Sequence, residues 1–109
     1  MNIDFSKIEE NDYPNFKGGE GKLVARMYVD ETIRYVNGYL PKGSTIGVHT
    51  HETNSETIYV FSGTGKVIYD GVEIPVAAGS CHYCPKGHTH TLINTGDEEL
   101  RFLGIIPEL

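Results

Sequence analysis

Apolar residues recur at every second position along most of this chain. From Lys22 to Val29, Leu23, Ala25, Met27 and Val29 occupy one face of an extended segment while Lys22, Val24, Arg26 and Tyr28 occupy the other, the period of a half-buried strand. Asp30-Glu31 breaks the pattern, and Arg34 to Leu40 resumes it with Tyr35, Asn37 and Tyr39 along one face. Pro41-Lys42-Gly43 predicts a turn, with proline presetting φ and glycine supplying a conformation other residues avoid. Glu56 to Phe61 is rich in β-branched and aromatic residues and reads as another strand. Gly63-Thr64-Gly65 predicts a hairpin into a strand over Lys66 to Tyr69, and Asp70-Gly71 predicts a second hairpin into Val72 to Val76. Pro75 cannot donate to a ladder, so it places that last strand at an edge or at its own end. Ala77-Ala78-Gly79 and Gly96-Asp97 are further turns, and Leu100 to Ile106 is apolar on nearly every residue, which predicts cover on both faces.

No long helical pattern emerges. A run of about nine short strands joined by tight turns hides its apolar faces only as a sandwich or a closed barrel, so the prediction is an all-β chain. Residues 1–21 are different: Asp4, Glu9, Glu10, Asp12, Pro14 and three glycines interrupt the apolar positions. That stretch is expected to be an extended arm ahead of a single barrel domain over 22–109. Its Ile3, Phe5, Ile8 and Phe16 need cover, either on their own barrel or on a partner's.

Composition narrows this further. At 109 residues the chain is one domain with room for a single core. Thirteen glycines, seven tyrosines and no tryptophan fit short strands and tight turns. The net charge of −6 comes from the two ends, while the middle of the chain is balanced. There is no basic stripe of the kind nucleic-acid binding requires, and no apolar run long enough to span a membrane. The first residues, MNIDFSKIEE, lack the charged and apolar blocks of a signal peptide, so a cytoplasmic protein with reduced thiols is expected.

The candidate chemistry lies in Gly43 to Gly63, GSTIGVHTHETNSETIYVFSG. Residues two apart in a strand share a face, so His49 and His51 converge on one ion without help from a turn. Glu56 opens the following strand after the polar break Glu52 to Ser55, which brings its carboxylate beside the imidazoles. A fourth ligand must come from elsewhere, and Gly79 to Asn94, GSCHYCPKGHTHTLIN, offers His90 just after a Pro-Lys-Gly turn.

The first stretch reads G-x5-H-x-H-x4-E-x6-G and the second G-x5-P-x-G-x2-H-x3-N, both complete. On these motifs the chain resembles a small single-domain cupin. The resemblance implies an antiparallel β-barrel of the double-stranded β-helix, jelly-roll type, with metal ligands at His49, His51, Glu56 and His90. It also implies one divalent transition metal ion: iron, manganese, nickel, cobalt or zinc. Three nitrogens and one oxygen leave positions open on a six-coordinate ion, whereas four-coordinate zinc would be closed. The alternative, ordinary histidines and a solvated glutamate, would leave a carboxylate and three imidazoles inside a small barrel without charge compensation, a costly burial.

Other residues carry weaker signals. Cys81 and Cys84 form a C-x-x-C, but positions three apart in a strand face opposite sides and no helix N-terminus lowers a thiol pKa, so both are expected to be buried small residues. His82 shares a strand face with Cys84; it is the general acid or base if that face lines the cavity, and otherwise a strand histidine bonded to a neighbour. His88 is expected to be an exposed loop histidine. Tyr28, Tyr35, Tyr39, Tyr59 and Tyr69 alternate along strands, and some are expected to face the metal. Arg26 and Arg34 are expected on a solvated outer face, with a substrate carboxylate as the other possible partner of one of them.

The expected activity is metal-dependent proton transfer, of isomerase or lyase type, on a small keto or hydroxy sugar or 2-oxo acid chelated through neighbouring oxygens. His82, a tyrosine or Glu56 would move the proton. With few cations near the motifs, the substrate is expected to be unphosphorylated. An oxygen-dependent dioxygenase and a non-catalytic metal- or ligand-binding sensor or storage module are the alternatives. Apolar residues on both faces of the Glu56 and Leu100 strands predict a homodimer.

Overall fold

In the computed structural model, which describes residues 1–108, ten strands form two antiparallel sheets that face each other. They are β1 (Asn11–Pro14), β2 (Lys22–Val29), β3 (Ile33–Leu40), β4 (Thr45–Thr50), β5 (Glu56–Ser62), β6 (Thr64–Tyr69), β7 (Val72–Ala77), β8 (Cys81–Cys84), β9 (Thr89–Asn94) and β10 (Leu100–Pro107). One sheet has the order β1-β2-β3-β10-β5-β8 and the other β4-β9-β6-β7. The inward residues of both sheets make one core: Leu23, Val36, Ile58 and Phe102 from the larger, Ile46, Val67 and Leu92 from the smaller. The alternation seen in the sequence is the cause, since only every second side chain reaches the space between the sheets.

The Asp70-Gly71 turn joins β6 to β7 with both residues at positive φ, 48° and 82°, as a two-residue hairpin requires. Pro75 lies on β7, an edge strand of its sheet. The expected hairpin at Gly63-Thr64-Gly65 does not form. β5 and β6 belong to different sheets, and Gly63, at φ 90°, is where the chain crosses between them. A side chain there would collide with the Glu99 carbonyl oxygen, so the glycine serves a sheet-to-sheet corner.

The first 21 residues are more structured than an extended arm. β1 pairs with β2 of its own barrel from Asn11↔Ala25 to Pro14↔Lys22, flanked by 3-10 turns at Phe5–Lys7 and Phe16–Gly18. Arg26 fastens the stretch by donating from Nη1 to the Ile8 carbonyl oxygen at 2.6 Å. Among the described residues no helix is long and apolar enough to cross a membrane.

Candidate metal centre

Three histidines come from the smaller sheet and its margin, and the glutamate comes from the larger one. β4 and β9 pair with a register shift: Ile46 lies opposite Leu92, but His49 lies opposite His90. The irregularity is a bulge at Gly47-Val48, which leaves Val48 68% exposed and lets Ile46 and His49, three apart in sequence, both point inward. From His49 to His51 the ordinary alternation holds. His51 lies just past β4 and is fixed by its own backbone: its N–H donates to the His88 carbonyl at 3.1 Å, and its carbonyl accepts from the Gly87 N–H at 2.7 Å. Glu56 opens β5, opposite Cys84 on β8. Gly104 on β10 makes room for the carboxylate, since a Cβ there would stand 2.9 Å from Glu56 Oε2.

The four ligand atoms of His49, His51, Glu56 and His90 all lie within 4.8 Å of one another. His51 Nε2 is 2.9 Å from His90 Nε2, and His90 Nε2 is 3.1 Å from His49 Nε2. Glu56 Oε1 is 3.0 Å from His90 Nε2, 3.1 Å from His51 Nε2 and 3.8 Å from His49 Nε2. Ligands about 2.1 Å from a shared ion and at right angles to each other stand roughly 3.0 Å apart, so this is the spacing of neighbours around one cation.

The far side of each ring fixes its orientation. His49 Nδ1 donates to the Gly47 carbonyl at 2.8 Å, and His51 Nδ1 donates to Asn54 Oδ1 at 2.6 Å. Asn54 is itself oriented by donating from Nδ2 to Glu108 Oε1 at 3.2 Å. His90 Nδ1 meets His82 Nε2 at 3.0 Å. A carbonyl or amide oxygen only accepts, so Nδ1 of His49 and of His51 carries the hydrogen and Nε2 is left as a bare lone pair. Lone pairs and a carboxylate therefore converge on one point, an arrangement suited to a cation. Where Nε2 carries a hydrogen instead of facing a cation, burial by itself would raise the Glu56 carboxyl, but hydrogen bonds donated from His49, His51 and His90 outweigh it and hold the group well below the usual carboxylate range. In that same arrangement the hydrogen bond to Glu56 raises His51 in turn, against burial. The donor set fits a divalent transition metal ion, held by three imidazole nitrogens and one carboxylate oxygen.

The cupin-domain profile matches residues 38–106, which include both motifs and all four ligands. The chain belongs to the cupin family. This cupin is 30% identical over 112 residues to an oxalate-binding protein of Thermotoga maritima, covering 97% of this chain and 93% of the relative. A crystal structure of a predicted oxalate decarboxylase from Thermotoga maritima superposes with a TM-score of 0.92 at 29% identity, over the full length of both chains. An uncharacterised protein of Methanocaldococcus jannaschii is 29% identical over 100 residues, 92% of this chain and 71% of that one. At 15% identity, the KdgF structure from Halomonas sp. shares the fold, with a TM-score of 0.79 over 98% of this chain and 91% of that one.

The cupin's remaining candidates fall in places that sequence alone did not separate. His82 is buried behind His90, stacked on it at 5.2 Å between ring centroids, and is not among the residues lining the cavity in front of the ligands. Burial lowers its pKa, which keeps the ring neutral and able to accept. Cys84 is buried as expected, but Cys81 is exposed because it points outward from the edge strand β8. No tyrosine lines the cavity. Tyr28, Tyr35, Tyr39 and Tyr59 alternate with buried core positions and so face outward from the larger sheet, while Tyr69 packs edge-on against His82 at 5.6 Å. His88 is half-exposed and bonded to Asp70. Arg26 is on the outer face, but Arg34 is not: it shares the inward parity of Val36 and lines the cavity.

Sequence reasoning also missed Lys17, Asn54 and Glu108 at this site. Asn54 lay in the polar break between the ligand motifs, which was its one signal. Lys17 and Glu108 are brought in by chain termini folding back, and nothing local marks them.

Proposed function

We propose that this cupin binds a small, unphosphorylated, chelating acid at a divalent metal ion held by His49, His51, Glu56 and His90, and carries out proton transfer of lyase or isomerase type on it. One observation supports this above the others: His49, His51 and Glu56 line a cavity of about 310 Å³, and His90 stands buried within 4.8 Å of all three ligand atoms. A bound metal ion would act as a Lewis acid toward an oxyanion developing on the ligand. The protein's own part is to hold the ligand and manage the proton. Glu56 turns Oε1 to the imidazoles and Oε2 toward Gly104, and it is the carboxylate at the cavity floor. His82, with Nε2 engaged by His90, has the role of positioning that ligand. Leu23, Val36, Ile46 and Phe102 supply an apolar wall that limits water around the reacting end. The names of the Thermotoga maritima relatives, an oxalate-binding protein and a predicted oxalate decarboxylase, support a small carboxylate ligand and lyase chemistry.

A second reading, binding without turnover, has its own support. The cavity lining contains no histidine apart from the ligands His49 and His51, and the curated relative is named for binding. Elemental analysis of the isolated protein, followed by a screen of 2-oxo acids and keto-sugars under air and under nitrogen, separates these readings. Metal at one ion per chain with product formed under nitrogen supports the lyase or isomerase reading. Strict oxygen dependence replaces it with a dioxygenase, and ligand binding with no product replaces it with a binding protein. His90→Ala should lower metal affinity sharply in a barrel that still folds; full occupancy in that variant would remove the four-residue assignment.

A further inference from the structure

Two cations reach the metal cavity from outside both motifs. Arg34, at the start of β3, points to the inner side, and Lys17 comes from the turn Phe16–Gly18. Among the described residues neither side chain has an ion-pair partner, whereas Lys22, Arg26, Lys42, Lys66 and Arg101 each have one. Lys17 is held in place at a cost. Its φ of 56° and that of Asn15, 52°, are left-handed, a conformation that disfavours a long side chain. The turn cannot relax away, because its backbone is pressed against β4. Side chains at Gly19 and Gly47 would collide with the carbonyl oxygens of Thr45 and Lys17, and the Thr45 N–H donates to the Glu20 carbonyl at 2.9 Å. Lys17 Nζ also sits over the Phe16 ring, 5.7 Å from its centroid, and both residues line the cavity.

Two carboxylates share the lining, Glu52 and Glu108. Glu108 is already turned to Asn54 and Thr53, accepting from them at 3.2 and 3.4 Å. Glu52 is exposed to solvent and makes no ion pair among the described residues. At about 310 Å³ the cavity exceeds what a two-carbon diacid would fill, since sites of this size hold a compact metabolite several atoms long.

We propose that Arg34 and Lys17 form an anion subsite at the mouth of the metal cavity, so that the ligand is a dicarboxylate longer than oxalate. One end, a carboxylate with a neighbouring oxygen, meets the four ligand side chains, and the second carboxylate lies between the guanidinium and the ammonium. A fork-shaped guanidinium and a point-like ammonium suit a planar carboxylate, whereas a phosphate ester normally meets more cations or a helix N-terminus. This assignment rests on the metal-centred reading given above and adds the class of ligand to it.

The test uses the manganese-loaded full chain and two five-carbon probes that share a 2-oxo carboxylate head, 2-oxoglutarate and 2-oxopentanoate, titrated calorimetrically. Only the first has a second carboxylate. It should bind about tenfold more tightly, with the margin shrinking as salt is raised. Arg34→Gln and Lys17→Asn should each remove roughly fivefold of that margin and leave 2-oxopentanoate and manganese content unchanged. Asparagine is chosen at position 17 because it tolerates the left-handed backbone. Equal affinities, no binding of either probe, or a margin that survives in the double variant would overturn the subsite in a protein that does hold manganese. Failure of the wild type to take up manganese would instead overturn the metal-centred reading, and the subsite with it.

Discussion

His82 Nε2 lies 3.0 Å from His90 Nδ1, inside the barrel and on the opposite side of the His90 ring from Glu56. If His90 offers Nε2 to a metal ion, its Nδ1 carries the hydrogen and His82 must accept it. A neutral imidazole does so, and burial keeps His82 neutral by lowering its pKa. His82→Leu should therefore weaken metal binding by about 10-fold or more, while His82→Gln, whose amide oxygen accepts, should retain most of it. Competition against a metallochromic chelator measures both. Equal affinity in the leucine variant and the wild type would remove the positioning role.

Gly104 tests the glutamate in the same way. An alanine methyl there would stand 2.9 Å from Glu56 Oε2, while the next neighbour, the Val36 Cβ, is at a comfortable 3.5 Å. The carboxylate must yield, so Gly104→Ala should lose metal affinity with little change in melting temperature of the metal-free protein. Unchanged metal content in this variant would argue against Glu56 as a ligand.

The two thiols should separate cleanly. Cys81 is exposed and should react with a thiol reagent in the native protein; Cys84 should react only on unfolding. Burial, followed by the charges of Glu56 and Asp70, pushes the Cys84 thiol up to about 11 from an ordinary 9.0. A raised folded value means the unfolded chain gives up this proton first as pH rises. The stabilisation is complete below pH 9.0 and is lost toward pH 11, so the alkaline melting temperature should fall less in Cys84→Ala than in the wild type. Two fast-reacting thiols in the folded protein would contradict the placement of Cys84.

The outer face of the larger sheet carries the dimer prediction. Tyr59, Phe61 and Tyr83 are 41%, 51% and 57% exposed, and Tyr59 lies opposite Leu103 on β10 and Cys81 on β8. The N-terminal stretch packs on its own barrel through β1, so this aromatic face, rather than an exchanged arm, is the surface we propose for a second copy. Sedimentation at micromolar concentration should give twice the 12.1 kDa chain mass, and Phe61→Glu should give the monomer. A monomeric wild type would defeat the proposal.

Thr91 offers a stability test away from the metal. Its Oγ1 is buried with no hydrogen-bond partner in the protein, on a residue paired with Ile68 across β9 and β6. Replacing the hydroxyl by a methyl of similar size removes the unsatisfied group, so Thr91→Val should stabilise the barrel by about 1 kcal/mol in a denaturant titration. Destabilisation would indicate that the hydroxyl is satisfied in solution.

The sequence by itself determined most of the strands and turns, and it named the four side chains that the fold gathers into one cluster. Lys22 to Val29 alternates, Asp70-Gly71 accepts positive φ, and His49 and His51 share a face, all through backbone rules that act over a few residues. What only the tertiary structure decided was which strands became neighbours and where the chain folded back. Gly63 looked like a hairpin turn and is a corner between sheets, because closing a single core required β5 and β6 on opposite sides of it. The bulge before His49 exists only as a mismatch with β9, so no property of β4 alone announced it. Arg34 could be solvated or functional by parity alone, and it became a cavity residue when the turn around Lys17 and the residues near Asn54 came to line the same space. His82 could line the cavity or bond to a neighbour as far as its strand face told, and His90, arriving from the facing sheet, is the neighbour it meets, a contact that supports the positioning role. Strand period fixes which face a side chain takes; the packing of distant segments fixes what that face meets.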